Sequence, residues 1–257
     1  MIRACAVGDF VLNLPALEAL QQCHPGSVFT LVGYPSTLTL AREFVDVASM
    51  HSIELEPWRR LFHEPVGGLA FDRAIVWMKD SAVAENLRRS GIKNVVRADP
   101  FPVEGHAAAH LLGTLSLTPP RLPDRWKPQS NRIILHPGSG SPKKCWPHFL
   151  ELAARLGSAQ FLIGPVEADF DAGMYRRLEN LSLPEVSKAL VASRGFVGND
   201  SGITHLAAYL GVPTLALFGP TDPKVWGPIG KRVSILRKPD IQTITVDEVE
   251  PVVTTVF

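Results

Sequence analysis

Gly198-Asn199-Asp200-Ser201-Gly202-Ile203-Thr204-His205-Leu206-Ala207-Ala208, continuing through Val212-Pro213-Thr214-Leu215-Ala216-Leu217-Phe218-Gly219-Pro220-Thr221-Asp222-Pro223, reads as strand, tight turn, helix, strand and loop. Phe196 and Val197 close a short apolar run, and Asp200-Ser201-Gly202 supplies the turn. Ile203 to Leu210 repeats apolar residues at helical spacing, with Gly211 at its stop and Pro213 just beyond. Thr214 to Phe218 is a continuous apolar run, the pattern of a strand buried on both faces of a parallel sheet. Such a turn points the free amides of Gly202, Ile203 and Thr204 above the sheet, with the positive end of the helix dipole behind them. The result is an anion site with a carboxylate, Asp200, and an imidazole, His205, on its lip.

Outward from this stretch the chain keeps alternating. Met1 to Val7 gives a first strand cut short by Gly8, and a helix follows Gly8-Asp9. Strands are expected at Val28–Gly33, Val45–Ile53, Phe71–Met78 and Asn94–Arg97, with helices at Thr37–Phe44, Ser81–Ser90 and Gly105–Leu117. The run from Thr118 to Pro128 contains Pro119, Pro120, Pro123 and Pro128 and can continue neither helix nor sheet. Beyond it, strands are expected at Arg132–Leu135, Gln160–Gly164 and Val233–Leu236. Helices are expected at Trp146–Leu156, Glu167–Leu178 and Leu183–Ser193, with a short final one from Val246. This pattern describes two α/β domains, each a doubly wound parallel sheet: residues 1–118, a proline-rich linker at 119–130, and residues 131–257. In such sheets ligands sit beyond the carboxyl ends of the strands, here expected in a cleft between the domains.

Composition narrows the function classes. With 257 residues and 46% hydrophobic content, the chain can bury one large core or two modest ones. A net charge of +1 gives no electrostatic reason for nucleic acid as a partner. Cys5, Cys23 and Cys145 are scattered without metal-ligand spacing, which suits a reducing cytoplasm better than a disulfide framework. No apolar run reaches membrane-span length and no charged-then-apolar leader is visible, so a cytoplasmic location is expected, compatible with resting on a membrane surface.

Four strand-end loops concentrate the residues able to do chemistry. Asp9 either caps the following helix or serves as a general base, which must stand within hydrogen-bond reach of the proton it takes. The loop His136-Pro137-Gly138-Ser139-Gly140-Ser141-Pro142-Lys143-Lys144-Cys145-Trp146-Pro147 offers close backbone approach at Gly138, hydroxyls, and lysines able to neutralise phosphate. It lacks P-loop spacing, and the bland reading is a surface turn with solvated lysines. Glu167, after Gly164-Pro165, suits a helix's first turn and says little alone. In the fourth loop, capping explains one of Asp200, Ser201 and His205 but not all three. His106 and His110 lie four apart, yet no third ligand is evident, and they are read as ordinary helix-face residues.

Three motifs resemble those of glycosyltransferase family nine, the heptosyltransferases of the lipopolysaccharide inner core. Gly8-Asp9 with Pro15 matches the family's GD-x-x-x-x-x-P pattern, and Gly138, Ser139, Lys144, Trp146 and Pro147 match its loop leading to K-x-W-P. Asp200, Ser201, Gly202, His205, Leu206, Ala207, Pro213, Phe218, Gly219, Pro220, Thr221 and Pro223 match D-[ST]-G-x-x-H-[LI]-A followed by P and FGPT-x-P. The resemblance implies a GT-B fold, with an acceptor-side amino-terminal domain, here shortened, and a nucleotide-sugar domain after it. It implies an inverting transferase without bound metal or cofactor, whose co-substrate is a nucleotide-sugar, ADP-heptose being the family's commonest donor. Asp9 would be the catalytic base. Gly138, Ser139 and Lys144 would hold the donor's phosphates, Glu167 the ribose, and Asp200 the transferred sugar. Ser201, Gly202 and the helix amides would meet the diphosphate, His205 would orient, and Thr221 would line the same donor site. Partners would be the donor and a glycolipid or lipopolysaccharide-core acceptor, with peripheral contact at the cytoplasmic face of the inner membrane. Trp58, Arg59 and Arg60 could touch acceptor or headgroups, against the plainer reading of a solvated face.

Two other functions compete. A nucleotide-sugar epimerase or hydrolase on the same architecture would turn over donor without acceptor, and a non-catalytic relative would bind without turnover. Gly8-Asp9 favours the transferase.

Overall fold

The computed structural model describes residues 1–257, which divide into two compact units, Met1–Pro120 and Arg121–Phe257. The first contains parallel pairs β1 (Phe29–Gly33) with β2 (Val47–Ser52), and β3 (Ala74–Trp77) with β4 (Val95–Ala98). Ile2 joins the two pairs, forming parallel bridges to Val32 and to Val76. Its amide donates to the Ile75 carbonyl at 2.8 Å, and the Arg3 amide to Val32 at 2.9 Å. The clipped first strand is therefore a short stub between β1 and β3, and the order β2–β1–stub–β3–β4 winds outward in both directions from it. Ile2, Val32, Val76, Trp58, Leu61 and Leu87 pack into one core on this sheet.

The helix expected after Gly8-Asp9 is two helices, Val7–Val11 and Leu14–Cys23. Asp9 consequently sits inside the first turn of the first helix, where its charge suits the dipole, and Ala6 is the N-cap. Thr37–Phe44 is likewise two short helical pieces, Pro35–Leu38 and a 3₁₀ turn at Thr39–Glu43.

In the second unit, β5 (Ile133–His136), β6 (Ala159–Ile163), β7 (Arg177–Glu179), β8 (Gly195–Asn199), β9 (Thr214–Phe218) and β10 (Val233–Arg237) form one sheet. All its pairings are parallel, in the order β7–β6–β5–β8–β9–β10. This is the dinucleotide-fold order: the unit's first strand lies centrally, the next two wind to one side and the last three to the other. Register places Leu135 beside Val197 and Val197 beside Leu215, giving a row of fully buried apolar side chains. Each such side chain contributes roughly 1.5–3 kcal/mol by leaving water. Phe149 and Leu152 of the helix Phe149–Leu156, and Val249 and Val253 of the helix Val246–Val256, close over that row.

The helix expected over Glu167–Leu178 does not form. A 3₁₀ turn occupies Pro165–Glu167, and β7 begins at Arg177. Between them the Asp171 carboxylate accepts the Gly173 amide at 2.8 Å, Gly173 has φ +56°, and Phe170 and Tyr175 turn their rings onto Phe161. The apolar residues follow this turn and not a helical period, so a helix would misplace one of the two rings.

The proline-rich stretch is pinned from Asp124 onward to the carboxyl ends of two helices of the second unit, Leu183–Ala192 and Gly202–Tyr209. Arg125, Lys127 and Gln129 donate backbone amides to Leu210, Val191 and Ala192, and the Trp126 indole donates to the Ser193 carbonyl at 2.9 Å. Asp124 binds Lys231 and Arg232, and the Arg232 guanidinium stacks 5.0 Å from the centre of the Trp126 ring.

Candidate active site

Where β5 and β8 lie side by side the winding reverses, the topological switch point of such a sheet, and the loops leaving their carboxyl ends carry the site residues. The loop after β5 runs from Pro137 to Trp146. The loop after β8 is Asp200-Ser201, followed by the helix Gly202–Tyr209. Each loop is rooted in a buried strand that is apolar until its last residue, His136 in β5 and Asn199 in β8, so the ligand-facing polar residues lie beyond the strand ends.

Asp200 stands at the centre. Its carboxylate is 7% exposed and accepts a charged hydrogen bond from Lys144 Nζ at 2.7 Å, while its backbone carbonyl accepts the Ser139 hydroxyl at 2.8 Å. Ser139, and not Ser141, is therefore the hydroxyl brought to Asp200; the Ser141 carbonyl instead accepts the Lys144 amide at 3.0 Å. His205 Nε2 lies 4.0 Å from the other carboxylate oxygen, from a position one turn into the helix. The Ser201 side chain caps that helix by accepting the Thr204 amide at 3.4 Å. Thr204 itself donates its hydroxyl to the Asn199 carbonyl at 2.5 Å. By helix geometry the amides of Gly202 and Ile203 have no partner inside the helix, so they remain available to an acceptor above it.

Glu167 approaches from the next strand end. One carboxylate oxygen accepts the Gly164 amide at 3.0 Å, closing the 3₁₀ turn. The other lies so close to Gly138 that a Cβ there would sit 2.1 Å from it. Gly138 is thus required for Glu167 to reach the loop at all. Behind both, His136 is buried and hydrogen-bonded through Nδ1 to the Leu162 carbonyl at 2.9 Å. Burial holds its pKa down, keeping the imidazole neutral. On the far side, Thr221 is partly exposed in the loop after β9, one residue before Asp222, which caps the short helix Pro223–Trp226. A Cβ on Gly219 would lie 3.5 Å from the Lys143 carbonyl, so this loop packs on the Lys144 loop.

Two residues of this region escape sequence reasoning. Asn199, fully buried, donates its amide to the carbonyls of Pro137 (2.7 Å) and Gly138 (3.4 Å) and accepts the Trp146 amide at 3.0 Å. A polar residue closing an otherwise apolar strand was the available signal. Trp146, read only as part of a motif, is 2% exposed and anchors the loop's end in the core, its indole donating to the Ile244 carbonyl at 2.7 Å.

Asp9 belongs to the first unit. It is partly exposed in the helix Val7–Val11, near the half-buried Cys5 thiol. Burial pushes that thiol's pKa up; the Arg3 guanidinium opposes the rise and the Asp9 carboxylate adds to it. The histidine pair has other duties: His106 caps its helix by accepting the Ala108 amide at 3.2 Å, and His110 Nε2 binds the Asp99 carbonyl at 2.7 Å. Arg59 and Arg60 form exposed ion pairs with Glu56 and Glu64.

A carboxylate locked to a lysine, a hydroxyl and an open helix N-terminus at a topological switch point make a site for a negatively charged, hydroxyl-rich ligand. Comparison with known proteins agrees in class. Residues 106–252 match the family model of glycosyltransferase family 9 (heptosyltransferase). Lipopolysaccharide heptosyltransferase 1 of Escherichia coli strain K12 is 37% identical over an alignment covering 93% of each chain. Among solved structures, E. coli ADP-heptose lps heptosyltransferase II superposes with a TM-score of 0.79 at 19% identity, covering 99% of this chain and 97% of that one. E. coli heptosyltransferase WaaC with ADP gives 0.76 at 19% identity, covering 100% and 98%. The fold is that of the GT-B heptosyltransferases, parallel α/β sheets throughout. The chain belongs to glycosyltransferase family 9.

Proposed function

We propose that the chain transfers a heptose from ADP-heptose onto a lipopolysaccharide-core-like acceptor, with inversion at the anomeric carbon and without a metal. The observation that carries this reading is the Lys144–Asp200 pair, held at the switch point beside Ser139 and the open helix amides. In this reading the second unit, from the linker onward, takes the nucleotide-sugar and the first takes the acceptor. Support for the donor comes from the WaaC structure described with ADP, and for the acceptor from the name of the E. coli relative.

The chemistry follows from charge. Asp9 accepts the proton of an acceptor hydroxyl as its oxygen attacks the anomeric carbon. The bond from that carbon to the diphosphate breaks, and negative charge grows on the departing ADP. Lys144, the Ser139 hydroxyl and the amides of Gly202 and Ile203 stabilise that charge from fixed positions, which is where such donors act most strongly. Asp200 accepts hydroxyls of the moving sugar, Glu167 those of the ribose, and His205 steadies Asp200. Ser201 and Thr221 complete the donor's surroundings. No helix is long and apolar enough to cross a membrane. We place the protein in the cytoplasm, working at the inner face of the membrane where such an acceptor is presented.

Incubation with ADP-heptose and a heptose-free lipopolysaccharide acceptor tests this by mass spectrometry. The expected product is the acceptor carrying one added heptose, with released ADP. Release of ADP without transfer would favour a hydrolase, and binding without turnover a non-catalytic relative.

A further inference from the structure

We propose that Asn199 is a positioning residue for the donor site: one carboxamide fastens both ends of the 137–146 loop and thereby sets where Ser139 and Lys144 stand. The inference rests on the donor-site reading above. Its basis is geometric. The amide nitrogen donates to Pro137 at 2.7 Å and to Gly138 at 3.4 Å, where the loop leaves β5. The amide oxygen accepts the Trp146 backbone N–H at 3.0 Å, where the loop returns to the core. Two carbonyls demand a donor and one N–H demands an acceptor, so the partners fix which way the amide faces. Among uncharged side chains of this length, only an amide offers both from one rigid plane.

Between these fastened ends the loop carries a 3₁₀ turn at Pro142–Lys144 and a packing contact of its Lys143 carbonyl with Gly219. A Cβ at Gly140 would meet nothing within 4 Å, and Lys143 and Gly140 are exposed. Its side chains Ser139 and Lys144 bind Asp200, the residue that follows Asn199. Adjacent residues at one strand end thus hold the loop twice, Asn199 by its ends and Asp200 by the side chains that face the ligand. If the ends are released, the serine hydroxyl and the ammonium lose their fixed distance from the diphosphate. Misplacement of such groups by about 1 Å costs on the order of a hundredfold in a reaction rate.

The test is calorimetric titration of ADP into the parent, Asn199→Leu, Lys144→Ala and the double variant. We expect Asn199→Leu to weaken ADP about tenfold, a milder loss than that rate penalty, and to add less than about twofold once Lys144 is gone, because it acts through Lys144 and its loop. A second variant, Asn199→Asp, guards against misfolding of the first. Its neutral acid has the shape of the amide and can donate to Pro137 while accepting from Trp146, whereas its anion would face two carbonyls. ADP affinity of Asn199→Asp should therefore fall as pH rises, relative to the parent, whose charged and titratable groups around the loop (Lys144, Asp200, His205, His136, Glu167 and Cys145) the variant shares. Parent-like ADP binding by Asn199→Leu, an undiminished effect in the Lys144→Ala background, or a parent-like pH profile for Asn199→Asp would each overturn the inference. Parent-like ADP binding by Lys144→Ala would instead overturn the donor-site reading, and this inference with it.

Discussion

Lys144 Nζ lies 2.7 Å from Asp200 Oδ2, joining the loops of the two central strands through a carboxylate that is almost entirely buried. Lys144 itself keeps 31% of its side chain exposed, so the pair is anchored at one end and open at the other. Removing the lysine alone strands a desolvated carboxylate, which costs more than the pair contributes. Lys144→Met should lower unfolding free energy by about 1–3 kcal/mol. The further change Asp200→Asn should return part of that loss, as read by urea denaturation.

Gly138→Ala places a methyl group 2.1 Å from a Glu167 carboxylate oxygen. Glu167 must swing away, breaking its bond to the Gly164 amide. The substitution should cost roughly 1–3 kcal/mol of stability. It should also erase any preference for ADP over 2′-deoxy-ADP in calorimetry, because Glu167 is the group assigned to the ribose.

Trp146→Phe keeps most of the packing against Phe149 but leaves the Ile244 carbonyl without its indole donor in a buried setting. A fall of about 1–3 kcal/mol in unfolding free energy is expected, measured as a lower denaturation midpoint at constant slope.

Asp9→Asn should lower the transfer rate by about 10²–10⁴ while leaving ADP affinity unchanged, because the amide cannot take a proton and Asp9 lies outside the donor unit. Loss of ADP affinity in this variant would remove Asp9 from its assigned role.

Acid should loosen the second unit at two exposed clamps. Hydrogen bonds from Arg232 and Lys231 hold Asp124 at about 2, below its ordinary 3.8. Lys238, with the Thr245 amide, holds Glu248 at about 2, below 4.5. A depressed carboxylate pKa adds stability that is complete above the unfolded value and disappears as pH falls through the folded one. Both contributions should therefore be lost between about pH 4.5 and 2, and Asp124→Asn should flatten that part of the stability curve.

The alternation of apolar runs and punctuating glycines made the parallel α/β layout legible, because strands buried on both faces admit almost no polar residue. Gly198 to Phe218 folds as its pattern demands, strand, capped helix and strand. The segment after Glu167 was not legible: its rings answer to Phe161, a residue of another strand, and no local period records that. Lys144, Ser139 and Asp200 could be singled out by chemistry, since each is polar in a loop that leaves a strand end. Asn199 showed only as a polar residue closing an apolar strand, and its role depends on three backbone groups of a loop some sixty residues earlier in the chain. Gly138 looked like a phosphate-loop glycine, and only the structure shows that it also makes room for a carboxylate.

The most direct measurement is calorimetric binding of ADP, UDP and GDP to the parent protein and to Asp200→Ala. ADP should bind selectively. Asp200→Ala should weaken it, since losing the carboxylate frees Lys144 from its fixed position, while the Ser139 hydroxyl keeps its bond to the backbone carbonyl at position 200. Failure of every nucleoside diphosphate to bind, or binding untouched by the substitution, would contradict a donor site at this switch point.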